Sequence, residues 1–201
     1  MTWELLQALE MLPQSLFLRP LLRHIAGLSD ETNRAIAPLL ASSNITVTRY
    51  PSLKLRGTKR NCKSDIGFGL SDGPTIWVEA KTAPFNDAAL REQVAQQRQA
   101  LAILLPSTPT AIVTLLPRRF ELSGIANIGW HTLATLFETG VAALRSALPT
   151  NDYRAGYEKL AVELIQRIYS HPNEIAISRR VVQQGAPADD PAAASRRQGR
   201  G

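Results

Sequence analysis

Apolar and polar residues alternate with a period of two through the middle of this chain, and with a helical period on either side. In TIWVEAK (75–81), Ile76, Val78 and Ala80 alternate with Trp77, Glu79 and Lys81, which reads as a strand. The preceding apolar segment SDIGFGL (64–70) places Ile66, Phe68 and Leu70 on one face and Asp65, Gly67 and Gly69 on the other. The two segments form a hairpin, 65–70 with 75–81, around the turn signal SDGP. Upstream, 3–12 reads as a short amphipathic helix followed by Pro13 and Pro20, and LSDETNRAIAPLLAS (28–42) opens on a cap at Ser29 or Asp30. Pro38 is expected to kink or shorten that second helix. ITVTRYPSLKL is β-branched and predicts a strand from Ile45, bent at Pro51.

Downstream, 86–105 predicts a long helix capped by Asn86 or Asp87, with Leu90, Val94, Leu101 and Leu104 as its apolar stripe. TAIVTLL (110–116) is continuously apolar, as a buried central strand would be. IANIGW (125–130) suggests a further short strand, and 131–148 and 152–170 are helical. The order helix, strand, strand, strand, helix, strand predicts an α/β sandwich: a mixed central sheet with an αβββαβ core, flanked by helices, with extra helices at the C-terminal end. The expected organisation is a helical extension over 1–28, one domain over 29–178, and a low-complexity, disordered basic tail over 179–201.

Charge sharpens this picture. The 201 residues carry a net +6, and the pI is about 9.9, which favours an anionic partner, nucleic acid first and membrane surface second. The excess is not uniform. Residues 45–63 contain Arg49, Lys54, Arg56, Lys59, Arg60 and Lys63 and no acid, a block suited to a phosphate backbone. The lone Cys62 excludes an intrachain disulfide and a multi-cysteine metal site and suits a reducing cytoplasm. The N-terminus has no basic region of the kind a signal peptide carries. The longest apolar stretch is broken by Pro106, Pro109 and Pro117, so no membrane span is expected.

The candidate chemistry lies on the polar face of the hairpin. Pairing Gly69 with Thr75 sets Asp65 across from Glu79, and burial of Ile66 and Phe68 beside Ile76 and Val78 selects that register. Two carboxylates so placed call for a positive charge between them, and a hard divalent cation such as Mg²⁺ supplies one. Lys81 then stands where its ammonium can orient water or offset developing negative charge. Gly67 and Gly69 would leave this face low for a large substrate, and Trp77 either stacks on a base or packs under a loop.

Asp65, thirteen intervening residues and Glu79-Ala80-Lys81 together resemble the PD-(D/E)xK nuclease superfamily, over roughly residues 30–137. Gln93 in REQVAQQRQAL falls where these nucleases carry a helical glutamine, Glu31 where they carry an acid on the first helix, and IGWHTL (128–133) where many carry a tryptophan. Ser64 stands in place of the motif's proline, and Gln97 where an aromatic often follows the glutamine. The resemblance implies a restriction-endonuclease-like fold and a Mg²⁺-dependent DNA endonuclease, with Mn²⁺ as a substitute metal and DNA favoured over RNA. It implies metal ligation by Asp65, Glu79, the Ala80 carbonyl and Glu31, and catalysis by Asp65, Glu79, Lys81 and Gln93. A homodimer is compatible with it, with the helix at 157–169 as the candidate interface, and restriction, defence or mobile-element processing is the expected setting.

Two rivals stay open: the same fold as a non-catalytic binder of nucleic acid or a partner, and a basic adaptor working through its arginine-rich tail. His24, His131 and His171 show no metal-ligand spacing, and no G-x-S-x-G supports a serine hydrolase.

Overall fold

A computed structural model describes residues 1–54, 61–82, 85–117 and 122–171. Three helices come first: α1 (Thr2–Met11), α2 (Leu18–Ala26) and α3 (Asp30–Ala41). Ser29 caps α3 through a reciprocal capping box with Thr32. Pro38 does not end α3, which runs on to Ala41 with Ile36 and Leu39 buried against the core. One missing backbone N–H is outweighed by that burial. The α2 helix was not foreseen; its Pro20 lies in the first turn, where a missing N–H costs nothing.

The chain then forms one long bent hairpin. β1 (Thr46–Arg49) is followed by a kink at Tyr50, whose φ is +47°, and by Pro51. β2 (Ser52–Lys54) leaves the line of β1 and pairs with β3 (Asn61–Lys63) as a separate two-stranded ribbon. At the kink Tyr50 N–H donates to the Asp65 carbonyl and Ser64 N–H to the Pro51 carbonyl, so both arms bend together. β4 (Ile66–Leu70) returns antiparallel to β1, and β5 (Gly73–Ala80) antiparallel to β4. α4 (Asp87–Leu104), capped by the Asn86 side chain, crosses over to β6 (Ala111–Leu116), which lies parallel to β5. β7 (Ala126–Gly129) adds a second parallel strand, and α5 (Trp130–Ala147) and α6 (Asp152–Ser170) follow. The result is an α/β fold with a five-stranded mixed sheet, β1-β4-β5-β6-β7, flanked by helices.

Each sheet face has its own core. Ile66, Phe68, Ile76, Val78, Ala80, Val113 and Leu115 pack with residues of α1, α2, α3, α5 and α6. Residues 1–28 therefore form part of the main helical layer, with Leu6, Leu18 and Leu22 fully buried, and are no appendage. α6 spends its apolar face, Ala161, Leu164, Ile165 and Ile168, inside the same core. On the opposite face Trp77, Ile112 and Leu116 meet Leu90, Val94 and Leu101 of α4, with Leu53 and Cys62 of the ribbon packed at the margin.

The β4–β5 register holds as expected at one end and slips at the other. Ile66 pairs with Val78 and Phe68 with Ile76, but Gly69 faces Pro74, not Thr75. Pro74 has no N–H for the ladder, and only a glycine fits at 69, since a Cβ there would lie 2.0 Å from the Gly73 carbonyl oxygen. The bulge is confined to the turn, so it does not disturb the end that carries Asp65 and Glu79. Among the described residues no helix is long and apolar enough to cross a membrane. The expected basic tail from residue 179 lies outside the described residues.

Candidate active site

Glu79 is one residue from the end of β5 and shares the α4 face with Trp77. It pairs with Thr114 of β6 and is only 3% exposed. A carboxylate so deep must be matched, and both its oxygens are engaged. Oε1 receives Lys81 Nζ at 2.5 Å, and Oε2 receives Gln97 Nε2 at 3.0 Å. Lys81 is thus an ion-pair partner of Glu79, with about a quarter of its side chain (27%) exposed.

Asp65 sits at the bend between β3 and β4. The ladder ends at Ile66–Val78, so Asp65 and Glu79 do not face each other as a backbone rung. Asp65 N–H donates to the Val78 carbonyl, and its Oδ2 accepts the Ala80 N–H at 2.8 Å. The two carboxylates meet through their side chains. Burial pushes the Asp65 carboxyl above the ordinary range, and the Glu79 charge beside it pushes further; the Ala80 N–H and the Lys81 ammonium oppose the rise. Because N–H and C=O of one strand residue point to the same side, the Ala80 carbonyl opens toward Asp65 as well.

Two residues hold this cluster from behind. Gln97 is 1% exposed and its Nε2 bridges Glu79 to the Lys63 carbonyl, at 2.6 Å, which ties α4 and the ribbon to the carboxylate. Its Oε1 is buried without a partner among the described residues. Trp130, fully buried at the start of α5, donates its indole N–H to the Lys81 carbonyl at 2.7 Å, while Lys81 N–H donates to Leu115. The strand end carrying Lys81 is therefore held at both its N–H and its carbonyl.

The remaining expected site residues are placed elsewhere. Gln93 is half-buried one turn before Gln97, and the contact to Glu79 comes from Gln97. Glu31 pairs with Arg98 at 3.2 Å and, with Arg34, lines a groove against residues 106–110. Those residues precede β6, whereas Glu79 pairs with Thr114. Glu31 does not join Asp65 and Glu79 in a metal-holding group of acids among the described residues. Among the described residues no group of three or more His, Cys, Asp or Glu converges. Arg49 pairs with both carboxylate oxygens of Glu10 and lies over the Trp3 ring at 4.5 Å. It pairs in register with Ile66, on the face away from α4, so it does not join a basic surface at the carboxylates. Lys63 is exposed on the ribbon beside the site. Arg56, Lys59 and Arg60, and the side chain of Lys54, lie outside the described residues. Gly67 is covered by Pro74 and Pro51, and Trp77 is fully buried under α4, so neither offers a landing surface or a stacking ring to substrate.

Compared with protein-family models, with curated proteins and with solved structures, the chain finds no match in any of the three.

Proposed function

We propose that this chain is a metal-dependent nuclease of restriction-endonuclease-like fold, hydrolysing phosphodiester bonds in DNA. The observation that carries the reading is the convergence of Asp65, Glu79 and Lys81 at the carboxyl end of β5, with Gln97 bonded to Glu79 from the following helix. Three residues spread over a degenerate sequence pattern are brought to one point by a hairpin, and the mixed sheet β1-β4-β5-β6-β7 is compatible with an αβββαβ core.

The donors suit a hard divalent cation. Asp65, Glu79 and the Ala80 carbonyl offer oxygens only, and Mg²⁺ takes one or two carboxylates with waters completing its shell. When bound, the cation would polarise the scissile phosphate and make water acidic. The chain's own residues do the rest. Lys81, partly exposed, offers its ammonium to a phosphate oxygen or to the attacking water, and Gln97 fixes the orientation of Glu79. Trp130 keeps the Lys81 backbone from drifting at the strand end. Exposed Lys63 supplies positive charge for the phosphate backbone beside the site.

One observation favours the rival binding protein: no third acid joins Asp65 and Glu79 among the described residues. Cleavage of supercoiled, linear and single-stranded DNA with Mg²⁺ or Mn²⁺ decides between them. Metal-dependent cutting by wild type that disappears in Lys81→Ala and Glu79→Ala is the expected result. Binding without cutting, indifferent to metal and to both substitutions, would establish the binder.

A further inference from the structure

We propose that the Lys81 ammonium occupies the cation's own place while the protein holds no metal, so that a divalent cation binds Asp65 and Glu79 only by displacing it. The inference rests on the nuclease reading and adds to it a determinant of metal affinity. Glu79 is almost completely buried and its Oε1 is taken by Lys81 Nζ at 2.5 Å. A metal on that carboxylate stands about 2.1 Å from its oxygen. Asp65 reaches the same strand end, its Oδ2 accepting the N–H of Ala80, the residue between Glu79 and Lys81, at 2.8 Å. An ammonium and a metal cannot both stand against that one Glu79 oxygen at these distances.

Chemistry explains why a lysine should stand there. Two buried carboxylates without a counter-charge would be strongly destabilising. Glu79's second oxygen is already committed to Gln97, which leaves Oε1 and Asp65 to be neutralised. Lysine does this with a compact charge on a flexible four-carbon stem, and its partial exposure gives the stem a path outward. Its backbone need not move, because Trp130 and Leu115 hold both peptide groups. A released ammonium is then available to the phosphate that arrives with the metal.

The test measures Mn²⁺ binding without substrate, by electron paramagnetic resonance of free Mn²⁺ and by the metal-induced shift in Tm. Wild type is compared with Lys81→Met, with Lys81→Gln, which keeps a hydrogen-bond donor but no charge, and with Lys81→Arg. Both neutral variants are expected to bind Mn²⁺ about tenfold more tightly than wild type, the factor a competing ion pair of modest strength imposes. They should melt lower without metal and gain more from it. Lys81→Arg should bind no more tightly than wild type. Equal or weaker Mn²⁺ binding by both neutral variants, with binding by wild type still lost in Glu79→Gln, overturns the displacement while leaving the metal site standing. No Mn²⁺ binding by wild type or any variant overturns the metal-site reading, and the displacement with it.

Discussion

Glu79 and Glu31 are both acids that the resemblance to PD-(D/E)xK nucleases would set at one metal site, and the structure treats them in opposite ways. Glu79 is 3% exposed, on a strand packed between two cores, with each oxygen bonded to a different element. Glu31 stands in the first turn of α3, its side chain 42% exposed, with an ion pair to Arg98. A strand residue has its direction set by the pleat, so Glu79 cannot avoid the α4 face once Val78 and Ala80 enter the main core. A first-turn helix acid is favoured there by the dipole alone, whatever it faces. Position in a motif is therefore informative for the strand acid and nearly silent for the helix acid.

The sharpest way to break this contrast is to neutralise each acid in turn. Glu79→Gln should remove metal-dependent cleavage by a factor of 10³ or more, on the order of 4 kcal/mol in the barrier. Glu31→Gln should leave the rate within about twofold and cost no more than about 0.5 kcal/mol of stability, as expected of an exposed pair. Single-turnover cleavage and urea melts of both variants check this, and comparable loss of activity in the two would show that Glu31 reaches the site during cleavage.

A second pair makes the same point along one helix. Gln97→Leu removes the bridge between Glu79 and the Lys63 carbonyl and leaves a buried carboxylate oxygen unbonded. A hydrogen bond to a charged group is worth about 1.5–3 kcal/mol, so cleavage should fall by roughly 10- to 100-fold. Gln93→Leu, one turn away and without that bond, should change the rate by less than about threefold. Matching rate profiles for the two variants would return the role to Gln93.

How much of this was legible beforehand follows from the same physics. Strand period fixed which residues of 66–70 and 76–80 enter the main core, and with them the side on which Asp65 and Glu79 project. The turn signal SDGP located the hairpin, but the bulge at Gly69 depends on a contact between Gly69 and Gly73 that no period encodes. Gln97 left a signal that motif spacing obscured. The apolar stripe Leu90, Val94, Leu101 has a gap that position 97 fills, and a polar residue in a core stripe demands a buried partner. Leu104, counted in that stripe, is 37% exposed instead. Arg49 read as a phosphate contact because its neighbours are basic. Its partners, Glu10 and Trp3, come from a helix remote in sequence, and only the fold brings them together. Trp130 stood out only through the resemblance carried by IGWHTL, while its bond to the Lys81 carbonyl depends on how β7 hands the chain to α5.

The smallest effect is the one that isolates the cost of putting two acids side by side. The Asp65 carboxyl is held above its ordinary 3.8 by burial first and by Glu79 second. Between 3.8 and that raised value the folded protein keeps a proton that the unfolded chain has already lost. Stability therefore falls as pH rises through the window, and the penalty is fully present above it. Asp65→Asn keeps an oxygen for the Ala80 N–H and gains donors toward Glu79, so it should abolish cleavage and yet raise Tm in chelator at pH 7. Its advantage over wild type should shrink as pH is lowered toward 4 and narrow again when Mn²⁺ is added at pH 7. Thermal melts across pH in both conditions measure this directly. A variant less stable than wild type in chelator at pH 7 would mean that Lys81 and the Ala80 N–H already compensate the pair in full.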